Sequence, residues 1–141
     1  MGLRAEIFVA EPTDARNYEA AQRTGSVRPP QYTRVQLGGL LDLHLSILWA
    51  IALGEEWDID KHALMTIHSA SETWLYRFPE TFTHLLASLD DERIEAISTA
   101  WSETEETRCE PSDAQYVLEN LCELSRKAEA SGKSLHLWGS L

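Results

Sequence analysis

Apolar and polar residues alternate near both ends of the chain. Every second residue from Leu3 to Val9 is apolar, which is the period of a strand with one buried face. Near the C-terminus, Leu135 and Leu137 alternate with Ser134 and His136, and this pattern predicts a second strand. A lone terminal strand is unstable unless it is paired. We therefore expect the two terminal strands to pair with each other.

Between these strands, apolar residues recur at spacings of three and four, which is the period of amphipathic helices. Gly54 and Gly132 follow apolar runs at the positions where helix C-caps favour glycine. The predicted helices run from Leu37 or Leu40 to Leu53, from Asp58 or Asp60 to Phe78, from Pro79 to Leu89, from Ser88 or Asp90 through Trp101, and from Pro111 to Gly132. The segment from Glu11 to Gln36 is predicted to be a long connection with a short helix from Asp14 to Arg23.

These elements predict an α+β fold that is mostly α-helical, with about five helices and a small sheet formed by the N- and C-terminal strands. The length of 141 residues and the apolar content of 43% suit one domain with a single core. No repeat or linker divides the chain. We therefore expect a single domain over residues 1–141.

The charge balance changes the classes of partner that are plausible. The formal net charge is −11, and residues 37–141 carry 19 acidic against 7 basic residues. A field of that sign repels phosphate backbones, so nucleic-acid binding is not expected. The most apolar stretch, Leu37 to Leu53, is shorter than the roughly 20 residues that span a bilayer, so no membrane association is expected either. The absence of a targeting pattern and the two widely spaced cysteines favour the cytoplasm.

Two pairs of residues have spacings found in metal sites. His68 and Glu72 have the i, i+4 spacing that places two ligands on one face of a helix. A third ligand cannot be named, so we expect neither a metal nor a cofactor. Glu103 and Glu106 form one Glu-x-x-Glu pair of the kind that holds magnesium in helical nucleotide pyrophosphatases. The matching second pair fails because Cys122 stands where an aspartate is needed.

Asp42, His44 and Ser46 interrupt the most apolar predicted helix, and Asp42 and His44 are its titratable residues. They cannot form a dyad there, since residues two apart on a helix point about 200° away from each other. One interpretation places both near the exposed first turn, where Asp42 favours the helix dipole. The other makes one of them part of a polar ligand pocket. No catalytic residue is predicted, because the chain has no G-x-S-x-G motif and neither cysteine has an activating neighbour in the sequence.

Two further groups of residues are candidates for a protein contact. Trp57 and Trp138 lie outside the apolar stripes of the predicted helices, and an exposed tryptophan is typical of a contact surface. Glu103, Glu105 and Glu106 lie in a stretch from residue 90 to 113 that holds nine carboxylates against two arginines. Such a stretch either serves solubility alone or attracts a basic protein.

The order of elements resembles that of the YfbM-like family of uncharacterised small bacterial proteins. The resemblance rests on the Met1-Gly2 start before a strand, on Leu41-Asp42 opening an apolar helix, on the end of that helix at Ala52-Leu53-Gly54 before Trp57, and on Gly132-Lys133-Ser134-Leu135 after the last helix. Leu43 and His44 depart from the lysine and tryptophan usual in the family. The resemblance implies an α+β fold with a helical majority and no catalytic residues.

The preferred prediction for function is a non-catalytic cytoplasmic protein-binding module with an acidic face and a basic protein as its partner. The alternative is a small enzyme or ligand-binding protein with a pocket near Asp42 and His44. A deep polar cavity with a strongly perturbed titratable group would favour the alternative, whereas an acidic or aromatic surface patch would favour the binding module. The sequence leaves the oligomeric state open.

Overall fold

The alternating segments at the two ends of the chain form the centre of one antiparallel sheet. In the computed structural model, which describes residues 4–17, 33–36, 39–70 and 72–141, β1 (Arg4–Ala10) pairs along its whole length with β5 (Ser134–Ser140). Ile7 lies opposite Leu137 in this register. The predicted pairing of the terminal strands is confirmed.

The sheet is larger than the two terminal strands. It also contains β2 (Thr33–Gln36), β3 (Met65–Ser69) and β4 (Thr73–Arg77). The strand order is β2-β1-β5-β4-β3, and every pair of neighbours is antiparallel. In the part of the chain that the structure describes, β3 therefore forms one edge of the sheet.

The helix predicted from Asp58 or Asp60 to Phe78 is wrong, because this segment contains the strands β3 and β4 and the loop before them. Strand β4 pairs on one side with β3 and on the other with β5, and it is rich in β-branched and aromatic residues, which favour strands. The register of the hairpin shifts between Thr66 and His68. The apolar residues that recur at spacings of three and four in this segment, such as Leu64, Ile67 and Trp74, are therefore distributed over two strands and the loops beside them.

The structure has helices at most of the positions where the sequence predicts them. Residues 12–17 are helical (α1), and the other helices are α2 (Asp42–Leu53), α3 (Glu80–Ala87), α4 (Asp91–Ser102) and α5 (Pro111–Ser131). Helices α2 and α5 end at Gly54 and Gly132, whose φ angles of 71° and 68° lie in the left-handed region that favours glycine. Asp90 caps α4 by accepting a hydrogen bond from the backbone N–H of Arg93 at 2.8 Å.

The main core lies between the helices and one face of the sheet. Alternate residues of β1 and β5, among them Ile7 and Leu137, join this core together with buried residues of α2, α3, α4 and α5. Trp49 and Phe82 stack within it at a ring-centroid distance of 5.0 Å. A smaller cluster lies on the opposite face of the sheet, where α1 contributes Ala15; its other buried members are Phe8, Ala10, Leu75 and Trp138.

The predicted α+β class with helices and a sheet that includes both terminal strands is confirmed. The predicted connection from Glu11 to Gln36 lies mainly outside the described residues; its described parts contain α1, which overlaps the predicted helix from Asp14 to Arg23, and β2. Among the described residues, no helix combines the length and apolar character needed to cross a bilayer.

Candidate binding site

His44 and Asp42 lie in the first turn of α2, as one interpretation of the sequence expected. The imidazole Nδ1 of His44 accepts a hydrogen bond from the backbone N–H of Leu41 at 2.9 Å. Because Nδ1 is an acceptor, the ring proton is on Nε2, which donates to the carbonyl of Glu106 at 3.1 Å. His44 therefore caps α2 and ties it to the loop after α4.

His44 also lines a cavity of about 210 Å³ with mainly apolar walls, which include Leu40, Trp101 and Val117. Cys109 lines the same cavity, and its pKa is raised by burial and by the nearby carboxylate of Asp113. A thiol with a raised pKa is a poor nucleophile at neutral pH. The other cysteine, Cys122, is buried, and burial raises its pKa to about 11. Neither thiol is therefore suited to nucleophilic catalysis.

The two hydrogen bonds of the His44 side chain give a first testable prediction. Replacing His44 with alanine removes two hydrogen bonds, and we expect it to lower the free energy of unfolding by about 1–2 kcal/mol. Urea unfolding would measure this loss. His84→Ala is the matched control, since the side chain of the exposed His84 forms a single hydrogen bond among the described residues, with the carboxylate of Glu129. Equal stability of His44→Ala and the wild-type protein would show that His44 does not stabilise the contact between α2 and the loop after α4.

Asp42 lines a second cavity on the other side of α2. This cavity, the Asp42 cleft, has a volume of about 320 Å³; its walls are Asp42, Leu43, Ser46, Trp57, Ile59, Ala63, Leu64, Thr66 and Tyr76. Burial and the charge of Asp42 raise the pKa of the Tyr76 phenol, so its hydroxyl stays protonated at neutral pH. Asp42 and His44 thus line different cavities, in agreement with the angular separation of residues two apart on a helix.

Trp57 is the largest exposed apolar side chain of the Asp42 cleft. Its ring is 42% exposed, and its indole Nε1 donates a hydrogen bond to the Ser46 hydroxyl at 2.7 Å. Leu43 and Ile59, which are 37% and 64% exposed, line the same cleft. We call these three residues the Trp57 patch. The hydrogen bond to α2 holds the indole in place, so its orientation is defined before any partner binds.

A buried histidine organises the loop that carries Trp57. His62 is fully buried and lies edge-on to Trp49 at a centroid distance of 5.7 Å. Its Nδ1 accepts a hydrogen bond from the backbone N–H of Asp58 at 3.0 Å, and its Nε2 lies 3.3 Å from a carboxylate oxygen of Glu55. The imidazole ring of His62 therefore joins two earlier residues of the loop, Glu55 and Asp58. A further contact joins Lys61 to Glu55.

The sequence did not identify this role of His62. The sequence predicts a helix capped by Asp58 or Asp60, whereas the two residues form a turn in which the Asp58 carboxylate accepts a hydrogen bond from the backbone N–H of Asp60 at 2.9 Å. Such a turn is typical of an Asp-x-Asp sequence. That pattern was the available signal for a loop at this point.

The other predicted contact residues separate into exposed and buried ones. Glu103, Glu105 and Glu106 are surface residues in and near the turn after α4, where Glu105 lies 3.9 Å from the exposed Arg108. We call these three glutamates the acidic turn. Trp138 is only 2% exposed, so the prediction that it belongs to a contact surface is corrected. It faces the smaller cluster because it is on the opposite face of β5 from Leu137.

The helical spacing proposed for His68 and Glu72 does not occur. His68 belongs to β3, whereas Glu72 precedes β4 in the turn of the hairpin. The two residues therefore do not share a helix face. Within the described ranges there is no cluster of three or more histidine, cysteine or acidic side chains that could hold a metal ion.

Comparisons with known proteins give no relative. No family model, no curated protein and no solved structure matches the chain. The resemblance to the YfbM-like family stays a prediction.

Proposed function

We propose that this chain is a protein-binding module that holds a short apolar and basic segment of its partner against the Trp57 patch. The observation that carries the proposal is the exposed indole of Trp57, which the 2.7 Å hydrogen bond to Ser46 fixes beside exposed Leu43 and Ile59. Tryptophan anchors of this kind contribute strongly to binding because they bury a large apolar area.

The order of the loop supports the proposal. Association is opposed by the entropy lost when side chains and loops become fixed at an interface. Residues 55–62 lose this entropy when the protein folds, because His62 and Glu55 hold the loop in one conformation and Ser46 fixes the indole of Trp57. A partner therefore meets a preformed surface.

The surrounding charge supports a basic partner. Asp42 lines the cleft, and four exposed carboxylates lie in the same loop as Trp57, at Glu55, Glu56, Asp58 and Asp60. The cation of this loop, Lys61, is engaged with Glu55. Lysine or arginine residues that flank an apolar side chain of the partner would complement this arrangement.

The acidic turn adds three carboxylates near the first turn of α2. The hydrogen bond between His44 and the Glu106 carbonyl holds this turn against the first turn of α2. The alternative function, a small enzyme with a pocket near Asp42 and His44, has less support because the two side chains line separate cavities.

Selection from a library of random displayed peptides tests the proposal. We expect the wild-type protein to enrich peptides in which lysine or arginine flanks leucine, isoleucine or an aromatic residue. Trp57→Ala should bind the enriched peptides at least about 10-fold more weakly, because the anchor is lost. Tyr116→Ala is the matched control, since Tyr116 is an exposed aromatic residue of α5 outside the Trp57 patch. Failure to enrich any peptide, or equal binding by both variants, would overturn the proposal.

Ionic strength then tests the charge argument. With an enriched peptide, we expect the association rate to fall as salt rises, since steering by surface charge is screened over about 8–10 Å near physiological ionic strength. The triple variant Glu103→Gln, Glu105→Gln, Glu106→Gln should slow association if the acidic turn contributes, whereas Asp42→Asn tests the cleft itself. Rates that do not respond to salt or to either variant would contradict a basic partner.

A further inference from the structure

A third cavity lies apart from the Trp57 patch and is larger than the Asp42 cleft. This cleft has a volume of about 690 Å³ and lies between α3, the end of α5 and the adjoining ends of β4 and β5. We call it the Arg77 cleft. Its polar lining includes Arg77, Thr81, His84, Glu129, Lys133 and Ser134. A cavity of this size accommodates a small metabolite.

The charges in the Arg77 cleft differ from those of the rest of the surface. Although the chain has a net charge of −11, the cleft contains Arg77 and Lys133. Two carboxylates also line the cleft. Glu129 is engaged by His84, with 2.9 Å between Oε2 and Nδ1, and the side chain of Glu80 is 90% exposed to solvent. Lys133 has no ion pair or side-chain hydrogen bond with any residue that the structure describes. Its ammonium group is therefore available to an anion.

Arg77 provides an independent sign of a missing acceptor. Its Nε is buried and has no hydrogen-bond partner within the described part of the chain. The nearest carboxylate contact of its guanidinium group is with Glu80, at 3.9 Å and with the Glu80 side chain 90% exposed. A buried donor without a partner is unfavourable, and more so on a charged group. An oxygen atom of a ligand bound in the cleft would supply a hydrogen-bond acceptor for the arginine side chain.

We propose that the Arg77 cleft binds the oxyanion group of a small molecule, a phosphate or a carboxylate. Arg77 supplies a planar set of N–H donors, and Lys133 supplies a compact positive charge. The hydroxyls of Thr81 and Ser134, which line the same cleft, add neutral donors. This site is separate from the Trp57 patch and does not depend on the proposed protein partner.

Titration with inorganic phosphate, followed by amide chemical shifts, tests the site directly. We expect saturable shifts for residues that line the cleft, among them Thr81, Lys133 and Ser134, at a constant ionic strength maintained with sodium chloride. Parallel titration with succinate distinguishes a carboxylate site from a phosphate site. Arg77→Gln and Lys133→Gln should each weaken binding about 10-fold, as expected for the loss of one charged hydrogen bond.

The matched control is Lys127→Gln, which removes a lysine of α5 that pairs with Glu123 and does not line the cleft. It should bind with wild-type affinity. Lys133→Gln changes an exposed side chain, so it keeps the test valid even if Arg77→Gln disturbs folding. The absence of saturable shifts with both anions, or equal affinities in Lys133→Gln and Lys127→Gln, would overturn the proposal.

Discussion

Replacing Trp101 with alanine is expected to lower the free energy of unfolding by about 3–5 kcal/mol. Trp101 is almost fully buried in α4, and its indole Nε1 donates a hydrogen bond to the carbonyl of His44 at 3.0 Å. The variant loses the buried ring, enlarges the cavity beside it and leaves that carbonyl without its indole donor. A loss of this size is a large part of the total stability of a typical domain, about 5–15 kcal/mol. Urea unfolding followed by circular dichroism would measure it.

Trp101→Phe separates the two contributions. Phenylalanine retains much of the apolar volume but has no N–H donor, so we expect a smaller loss, about 1–2 kcal/mol. Both variants should also lower the hydrogen-exchange protection of the first turn of α2, because Trp101 binds its backbone. A Trp101→Ala protein within about 1 kcal/mol of the wild type would show that the ring does not hold α2 and α4 together.

The features that the sequence predicted well are those determined by neighbouring residues. Glycine is favoured at Gly54 and Gly132 because the chain there adopts positive φ angles, and the Asp90 side chain reaches a backbone N–H only three residues away. The alternation in β1 and β5 is similarly local, and their pairing follows because each terminal strand needs a partner. These predictions required no knowledge of distant contacts.

The hairpin of β3 and β4 was missed because its stability depends on a distant strand. Leu75 is opposite Trp138, and Tyr76 is opposite Leu137, more than sixty residues later in the chain. Spacings of three and four between apolar residues are compatible with a helix until that pairing is known. Trp74 depends on the same pairing, since its indole lies where a side chain at Gly139 would be.

The residues of the candidate sites were also only partly predictable from the sequence. Helical geometry was enough to predict that Asp42 and His44 could not act together, and they line different cavities. The surroundings of Trp57 could not be predicted, because they depend on Ser46 eleven residues earlier and on the burial of His62. Arg77 and Lys133 are 56 positions apart in the sequence, and only the pairing of β4 with β5 brings them to one cleft.

His136 is a buried group whose ionisation couples stability to pH. It lies on β5 stacked against Phe8, with ring centroids 5.1 Å apart, and opposite Arg77 of β4. The His136 side chain is fully buried. Burial, together with the positive charge of Arg77, lowers the pKa of His136 from 6.5 to about 4. The folded protein therefore keeps this imidazole neutral at a pH where the unfolded chain protonates it.

We expect the wild-type protein to lose about 2 kcal/mol more stability than His136→Leu between pH 7 and pH 5. In this range the unfolded state binds a proton that the folded state excludes, so the stability due to neutral His136 is present above pH 6.5 and declines as the pH falls toward 4. Urea unfolding of both proteins at several pH values would measure the difference, in which the other titrating groups largely cancel. Phe8→Leu alters the same packing but retains the imidazole, so it should keep the wild-type pH dependence. Parallel pH profiles for His136→Leu and the wild type would show that His136 does not control acid stability.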